Sequence, residues 1–212
     1  PDIRRNYSAA ARRELDRVMA VSRDTLAGRL LLLHGPPGTG KTTLLRTLAY
    51  EWRSWCQVDC VMDPEQLFGD PGYLMEVAVA DEGLEDDEPQ RRWRMLVLED
   101  CDELIRAEAK ESSGQGLSRL LNLTDGLFGQ GRDVLVAITT NEPLTRLHPA
   151  VVRPGRCLAQ IEVGPLSRNE AVEWLGTAEG VPAGGCTLAE LYALRAGAPA
   201  LADPHPQTGL YL

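Results

Sequence analysis

Two short stretches of the sequence carry residue types that can manage a charged phosphate. The first, Gly35-Pro36-Pro37-Gly38-Thr39-Gly40-Lys41-Thr42, fits the pattern G-x-x-x-x-G-K-[S/T] at every position. Glycines at those places let successive backbone N–H groups turn inward as an anion nest, and a helix starting there adds its positive end. Lys41 can then neutralise charge on the β- and γ-phosphates of a nucleotide, and the Thr42 hydroxyl can ligate Mg²⁺. Thr43, at the start of the same helix, joins the nucleotide-binding set. A Gly/Pro turn could match the pattern by chance, but it would not also have a buried strand before it and a helix after it.

The second stretch is Met95-Leu96-Val97-Leu98-Glu99-Asp100, an apolar strand pattern ending in two carboxylates. Glu99 can order Mg²⁺ through water, and Asp100 can orient or deprotonate an attacking water, with Asp102 the next candidate for that base. Acids at a strand end are often only a solvated turn. After a complete phosphate loop, the reading as a triphosphate-cleaving pair is the better one.

These residues need a scaffold, and the apolar pattern describes one. Ser8 can cap a helix with Leu15, Val18, Met19 and Leu26 at helical spacing and Gly28 closing it. Leu30–Leu33 reads as a strand buried on both faces, followed by a helix over Lys41–Tyr50. Gln57–Val61, Arg94–Leu98, Val134–Ile138 and Leu158–Val163 are further strands, and Leu117, Leu120, Leu121 and Leu127 form a helix stripe. Strands alternating with helices predict an α/β fold, a parallel sheet with helices on both faces. Pro165 marks a boundary, beyond which Ser167 caps a helix through Trp174 and Thr187 caps another through about Leu194. The expected division is an N-terminal helix and linker over 1–28, an α/β core over 29–164, and a small helical appendage with a tail over 165–212.

Composition narrows the partners. The net charge of −9 owes much to Asp81, Glu82, Glu85, Asp86, Asp87 and Glu88, a local acidic run on a nearly balanced domain. No basic patch suited to a phosphate backbone stands out, so nucleic acid is not an expected partner. Lys41 and Lys110 are the only lysines among many arginines, a coding bias that says nothing of function. The five cysteines form no metal-ligand spacing and read as small buried hydrophobes in a reducing, cytoplasmic setting. The longest apolar runs fall far short of the ~20 residues of a membrane helix, so no membrane segment is expected. The chain opens on Pro1 with no leader-like stretch, and the expectation is that an N-terminal portion is missing.

From about Gly28 to Val163 the sequence resembles the AAA+ ATPases, in the branch of FtsH-type proteases, proteasomal ATPases and Bcs1-like translocases. The resemblance is carried by GPPGTGKT, LVLEDCDEL, LNLTDGL and VAITTNEPLTRLHPAVVRPGR, in the family's order and spacing. It implies a five-stranded parallel sheet in the order 5-1-4-3-2, with a helical lid that is short or truncated here. By the same resemblance Asn141, after Thr140, is the sensor of the γ-phosphate. Arg156, in Arg153-Pro154-Gly155-Arg156, is the arginine finger that reaches a neighbouring subunit's nucleotide. Asp125-Gly126-Leu127 matches a stretch that signals between subunits. An aromatic residue after the second strand grips substrate in some members. Here Phe68, at the closer spacing, and Tyr73 both stand in that region; core or turn packing is as good a reading for Phe68 and the better one for Tyr73.

Three departures bear on activity. The acidic pair reads Glu-Asp rather than Asp-Glu, as in Bcs1-like proteins, and Asp100 is about 1.5 Å shorter in reach than the usual Glu. Ala159 stands where many relatives carry a second finger arginine. The segment after Pro165 offers only two clear helices. The resemblance therefore implies an ATPase that binds and hydrolyses Mg·ATP between subunits of a homo-oligomeric ring, usually six-membered, and remodels or translocates a protein client. The alternative is a nucleotide-gated assembly scaffold with slow or negligible hydrolysis.

Overall fold

The computed structural model describes residues 3–79, 92–105, 118, 120, 122, 133–147 and 155–197. The acidic run, Lys110, Leu117, Leu121, Asp125-Gly126-Leu127, Arg153 and Pro154 lie outside the described residues. Strands β1 (Leu30–His34), β2 (Cys56–Cys60), β3 (Trp93–Leu98), β4 (Val134–Thr140) and β5 (Cys157–Glu162) form one sheet in the order β2-β3-β4-β1-β5. All pairs are parallel, with Leu32 beside Ile138 and Gln160, and Leu96 beside Val136. The expected order 5-1-4-3-2 is this order seen from the other edge.

Composition explains which strands are central. Every residue of β1 is buried, and β3 and β4 are nearly as enclosed. Strands covered on both faces leave no side free for polar residues, which is why these three read as continuous apolar runs. The edge strands β2 and β5 carry Gln57, Asp59, Gln160 and Glu162 and are only partly covered.

The two-residue period splits the core. Leu31, Leu33, Met95, Val97, Leu135 and Ala137 pack against Leu15 and Val18 of α1 (Ala9–Met19) and Leu44 and Leu48 of α2 (Lys41–Trp52). Leu30, Leu32, Leu96, Leu98, Val136 and Ile138 meet Leu67 and Phe68 of α3 (Pro64–Gly69), Leu74 of α4 (Pro71–Val79) and Ile105 of α5 (Asp102–Ile105). Leu120, also helical, joins this second layer. Each fully buried leucine contributes about 1.5–3 kcal/mol, so the strand ends are held by a stiff frame.

The N-terminal helix is shorter than its apolar spacing suggests. It stops at Met19, a 3₁₀ turn follows at Arg23–Thr25, and Leu26 packs on the core from the loop beyond. Gly28 closes no helix. At φ 125° it lets the chain pass the Cys157 backbone, with which any Cβ would collide. Phe68 is a core side chain, 2% exposed, and Tyr73 packs half-buried against the same layer. Cys56 and Cys101 are buried, which pushes their thiols up to about 12 and keeps them protonated. Among the described residues no helix is long and apolar enough to cross a membrane.

Beyond the sheet lie α6 (Arg168–Leu175) and α7 (Leu188–Arg195), each opened by a capping box, Ser167 with Glu170 and Thr187 with Glu190. They share a small core of Leu166, Ala171, Trp174, Cys186, Leu188 and Leu191. The N-terminal segment ties this pair down. The Ala9 N–H donates to Glu170 Oε1 at 2.7 Å, and Trp174 Nε1 donates to Asn6 Oδ1 at 2.8 Å.

Candidate functional site

Three loops leave the carboxyl ends of adjacent strands: residues 35–40 after β1, Glu99 and Asp100 after β3, and Asn141 after β4. A parallel sheet gathers such ends into one crevice, where ligands of open α/β folds bind. The phosphate loop is built to stay tight. Gly35 has φ 139°, and a Cβ there would collide with the Val163 carbonyl. Thr39 Oγ1 donates to the Pro36 carbonyl at 2.9 Å, folding the loop on itself. Helix α2 then starts at Lys41, and its first-turn N–H groups have no partner within the helix.

Lys41 is 7% exposed. Its Nζ donates to the carbonyls of Gly35 at 2.8 Å and Pro36 at 3.0 Å, and to Asn141 Oδ1 at 2.8 Å. Burial lowers its pKa, and the negative charges of Asp100 and Asp102 oppose that shift. Asn141 is held in turn by Asp102. Asp102 Oδ1 accepts from the Asn141 backbone N–H at 2.7 Å and the Thr140 hydroxyl at 2.7 Å, and Oδ2 accepts from Asn141 Nδ2 at 2.9 Å. Burial tends to raise the Asp102 carboxyl, but these hydrogen bonds and the Lys41 charge outweigh it and hold it below the usual carboxylate range.

The acidic pair divides in environment. Asp100 is exposed, sits at φ 53°, and its backbone N–H donates to Thr139 Oγ1 at 3.0 Å. Glu99 Oε1 is buried with no hydrogen-bond partner among the described residues. An orphaned carboxylate oxygen is costly unless a cation or its water meets it, so Glu99 fits a divalent metal. Thr42 is half-buried on the first turn of α2 and offers the second oxygen.

Arg156 does not join this group. It precedes β5, its carbonyl accepts from the N–H groups of Arg29 and Leu30, and its Nη2 donates to Asn122 Oδ1 at 3.1 Å. All five residues of β1 therefore separate its backbone from Gly35. At about 3.3 Å per residue that is roughly 16 Å.

Some of the site has little sequence signal. Ala189 N–H donates to the Gly38 carbonyl at 2.9 Å, and Leu188 and Ala189 press on Gly40 and Gly38, so the start of α7 sits on the phosphate loop. Tyr7 Oη donates to the Gly40 carbonyl at 3.1 Å, and burial raises its pKa so that it stays a donor. Beside Thr43 a cavity of about 1010 Å³ opens, lined among others by Ile3, Asn6, Tyr50, Trp174 and Tyr192. The Asp102 clamp was partly legible, as a third acid two residues after Asp100.

Comparison with known proteins agrees with this fold. Residues 31–165 match the family described as ATPase family associated with various cellular activities (AAA). The chain is 34% identical over 140 residues to the ATPase family gene 2 protein of Saccharomyces cerevisiae, covering 64% of this chain and 17% of that protein. It is 33% identical over 147 residues to the ATP-dependent zinc metalloprotease FtsH 1 of Symbiobacterium thermophilum, covering 66% and 24%. It is 31% identical over 140 residues to the cell division cycle protein 48 homolog of Archaeoglobus fulgidus, covering 63% and 18%. The match thus spans no more than a quarter of these relatives. With the family pattern covering the sheet and its carboxyl-end loops, the chain belongs to the AAA ATPase family.

Proposed function

We propose that this ATPase domain binds Mg·ATP at residues 35–43 and hydrolyses it at an interface between copies of itself in a ring, six-membered as is usual in the family, turning the cycle into work on a protein client. The observation that carries the ring assignment is the place of Arg156. Its backbone lies roughly 16 Å along β1 from the phosphate loop, too far to serve its own site, which supports a role at a neighbour's. Head-to-tail contacts of that kind generate a ring when their rotation closes.

Each residue has one task. The loop amides and Lys41 hold the β- and γ-phosphates, and Thr42 and Glu99 would hold the metal. Mg²⁺ supplies charge to offset the triphosphate and the developing negative charge of the reaction. Asp100 orients and deprotonates water, Asn141 senses the γ-phosphate, and Arg156 stabilises the transition state in the adjoining copy. The exposed rings of Tyr50 and Tyr192 in the cavity beside Thr43 suit a stacked base. A slow, scaffold-like variant of the cycle draws on Asp100, a short carboxylate on a left-handed turn.

Mixing two inactive variants tests the assignment. Lys41→Ala should lose ATP binding, and Arg156→Ala should bind ATP but lose about 10³–10⁵-fold in turnover. A mixture should regain activity, because some interfaces combine an intact loop with an intact finger. Mixed oligomers with no recovered turnover would overturn the interface model.

A further inference from the structure

We propose that Asp102 is a positioning residue. It fixes the orientation of the Asn141 amide and, through it, the place of the Lys41 ammonium, so one carboxylate couples the γ-phosphate sensor to the phosphate loop. This rests on the nucleotide reading above. A side-chain amide can turn over by half a rotation with almost no change of shape, exchanging a donor for an acceptor. Only one of its two settings presents Oδ1 to Lys41 Nζ, at 2.8 Å. Asp102 selects that setting. Its Oδ2 accepts from Asn141 Nδ2, and an ionised carboxylate can only accept, so the turned amide would set oxygen against oxygen. The two bonds to Oδ1, from the Thr140 hydroxyl and the Asn141 backbone N–H, keep the carboxylate from swinging away.

The same bonds argue against Asp102 as the base. Oδ1 already receives two donors and Oδ2 one, all from protein, leaving little room for an attacking water. Asp100 is exposed, and among the described residues no side-chain hydrogen bond of this kind commits it. The sequence Asp102–Asn141–Lys41 is therefore a fixed relay of acceptor, amide and ammonium across the carboxyl ends of three adjacent strands. An arriving γ-phosphate competes with Asn141 Oδ1 for Lys41. The amide, held by Asp102, can then present its remaining N–H to the phosphate without turning.

A double-mutant cycle reads this directly. Asp102→Asn, Asn141→Ala and the double variant are compared for turnover and, by calorimetry, for the ratio of ATP to ADP affinity. Each single change should cost about 10–100-fold in turnover, the range for partners that orient a functional group. Both should lower the ATP/ADP ratio while ADP affinity stays nearly unchanged, and the double variant should be no worse than Asn141→Ala alone. Multiplying losses, or an Asp102→Asn protein with wild-type turnover and ratio, would overturn the proposal. If the wild-type protein binds no nucleotide, the nucleotide reading has failed. The relay is then judged from the Asn141 side-chain amide signals in the free protein. Those signals, assigned by their loss in Asn141→Ala, should exchange slowly in wild type and quickly in Asp102→Asn; signals unmoved by Asp102→Asn would reject the relay.

Discussion

At the carboxyl ends of β1, β3 and β4, polar side chains pack against one another; at the amino ends of the same sheet, aromatic rings do. There Trp52 and Trp55 lie 4.9 Å apart by ring centroid, Trp55 and Trp93 lie 6.4 Å apart, and the Arg29 guanidinium stands 4.2 Å above Trp93. Both ends hold buried polar atoms without hydrogen-bond partners among the described residues: Glu99 Oε1 at one, and Trp52 Nε1, Trp93 Nε1 and Arg29 Nη1 at the other. The difference lies in what surrounds them. Glu99 is an acceptor in a crevice where charges converge, whereas the indoles are donors inside a stack whose faces are already covered. An unsatisfied atom marks a site only where its neighbours could share a ligand with it. The rings at the amino end pack for stability, with the proposed finger Arg156 at the start of β5 beside them, while the polar groups at the carboxyl end are the ones proposed to hold nucleotide.

The contrast can be broken by substitution at each end. The largest effect is expected for Asp100→Asn, which should keep ATP affinity and lower turnover by about 10²–10⁴-fold. Asparagine tolerates the left-handed backbone of residue 100 at least as well as aspartate, so the melting curve should not move. Unchanged turnover would shift the base elsewhere. At the other end, Trp93→Ala should cost about 3–5 kcal/mol of stability in urea unfolding, since it removes a buried ring and the platform for Arg29. ATP affinity of the folded protein should survive. A parallel loss of affinity would mean that the two ends are not separable.

The smallest effect sharpens the picture at the α6–α7 pair. Burial tends to raise the Glu170 carboxyl, but hydrogen bonds from Ser167 and Ala9 and the nearby Arg12 charge outweigh it and hold it below its ordinary value. The sign follows from linkage. The contribution of Glu170 is complete above the unfolded carboxyl value of about 4.3 and is lost as pH falls through the lower folded value. Glu170→Gln should therefore cost under about 1 kcal/mol at neutral pH, with the gap to wild type closing below about pH 4. Stability curves that stay parallel down to strong acid would rule out this carboxylate as the tether.

Much of the crevice was legible because the chemistry proposed for it demands particular residue types at contiguous positions. A phosphate nest needs its glycines, lysine and threonine within one turn of chain, and a metal-binding acid needs a strand to end on. Leu30–Leu33 announced a central strand because a strand covered on both faces admits no polar residue. Periodicity failed where a loop imitates it. Leu26 falls in step with α1 yet packs from beyond a 3₁₀ turn, and Gly28 looks like a helix stop but serves a close backbone crossing. Phe68 could have faced solvent or core, and spacing alone had no means of choosing.

By itself the sequence determined that a glycine-rich loop joins a buried strand to a helix at residues 35–41, which acids follow β3, and that parallel strands must present these ends together. These depend on local geometry, which neighbouring residues settle among themselves. Only the tertiary structure decided that Asp102 grips Asn141, 39 residues away, that Asn141 caps Lys41, 100 residues away, and that Ala189 closes over Gly38. Such contacts depend on how the sheet aligns its strand ends and where α7 comes to rest. No short-range pattern encodes them, because each partner alone would be content in water.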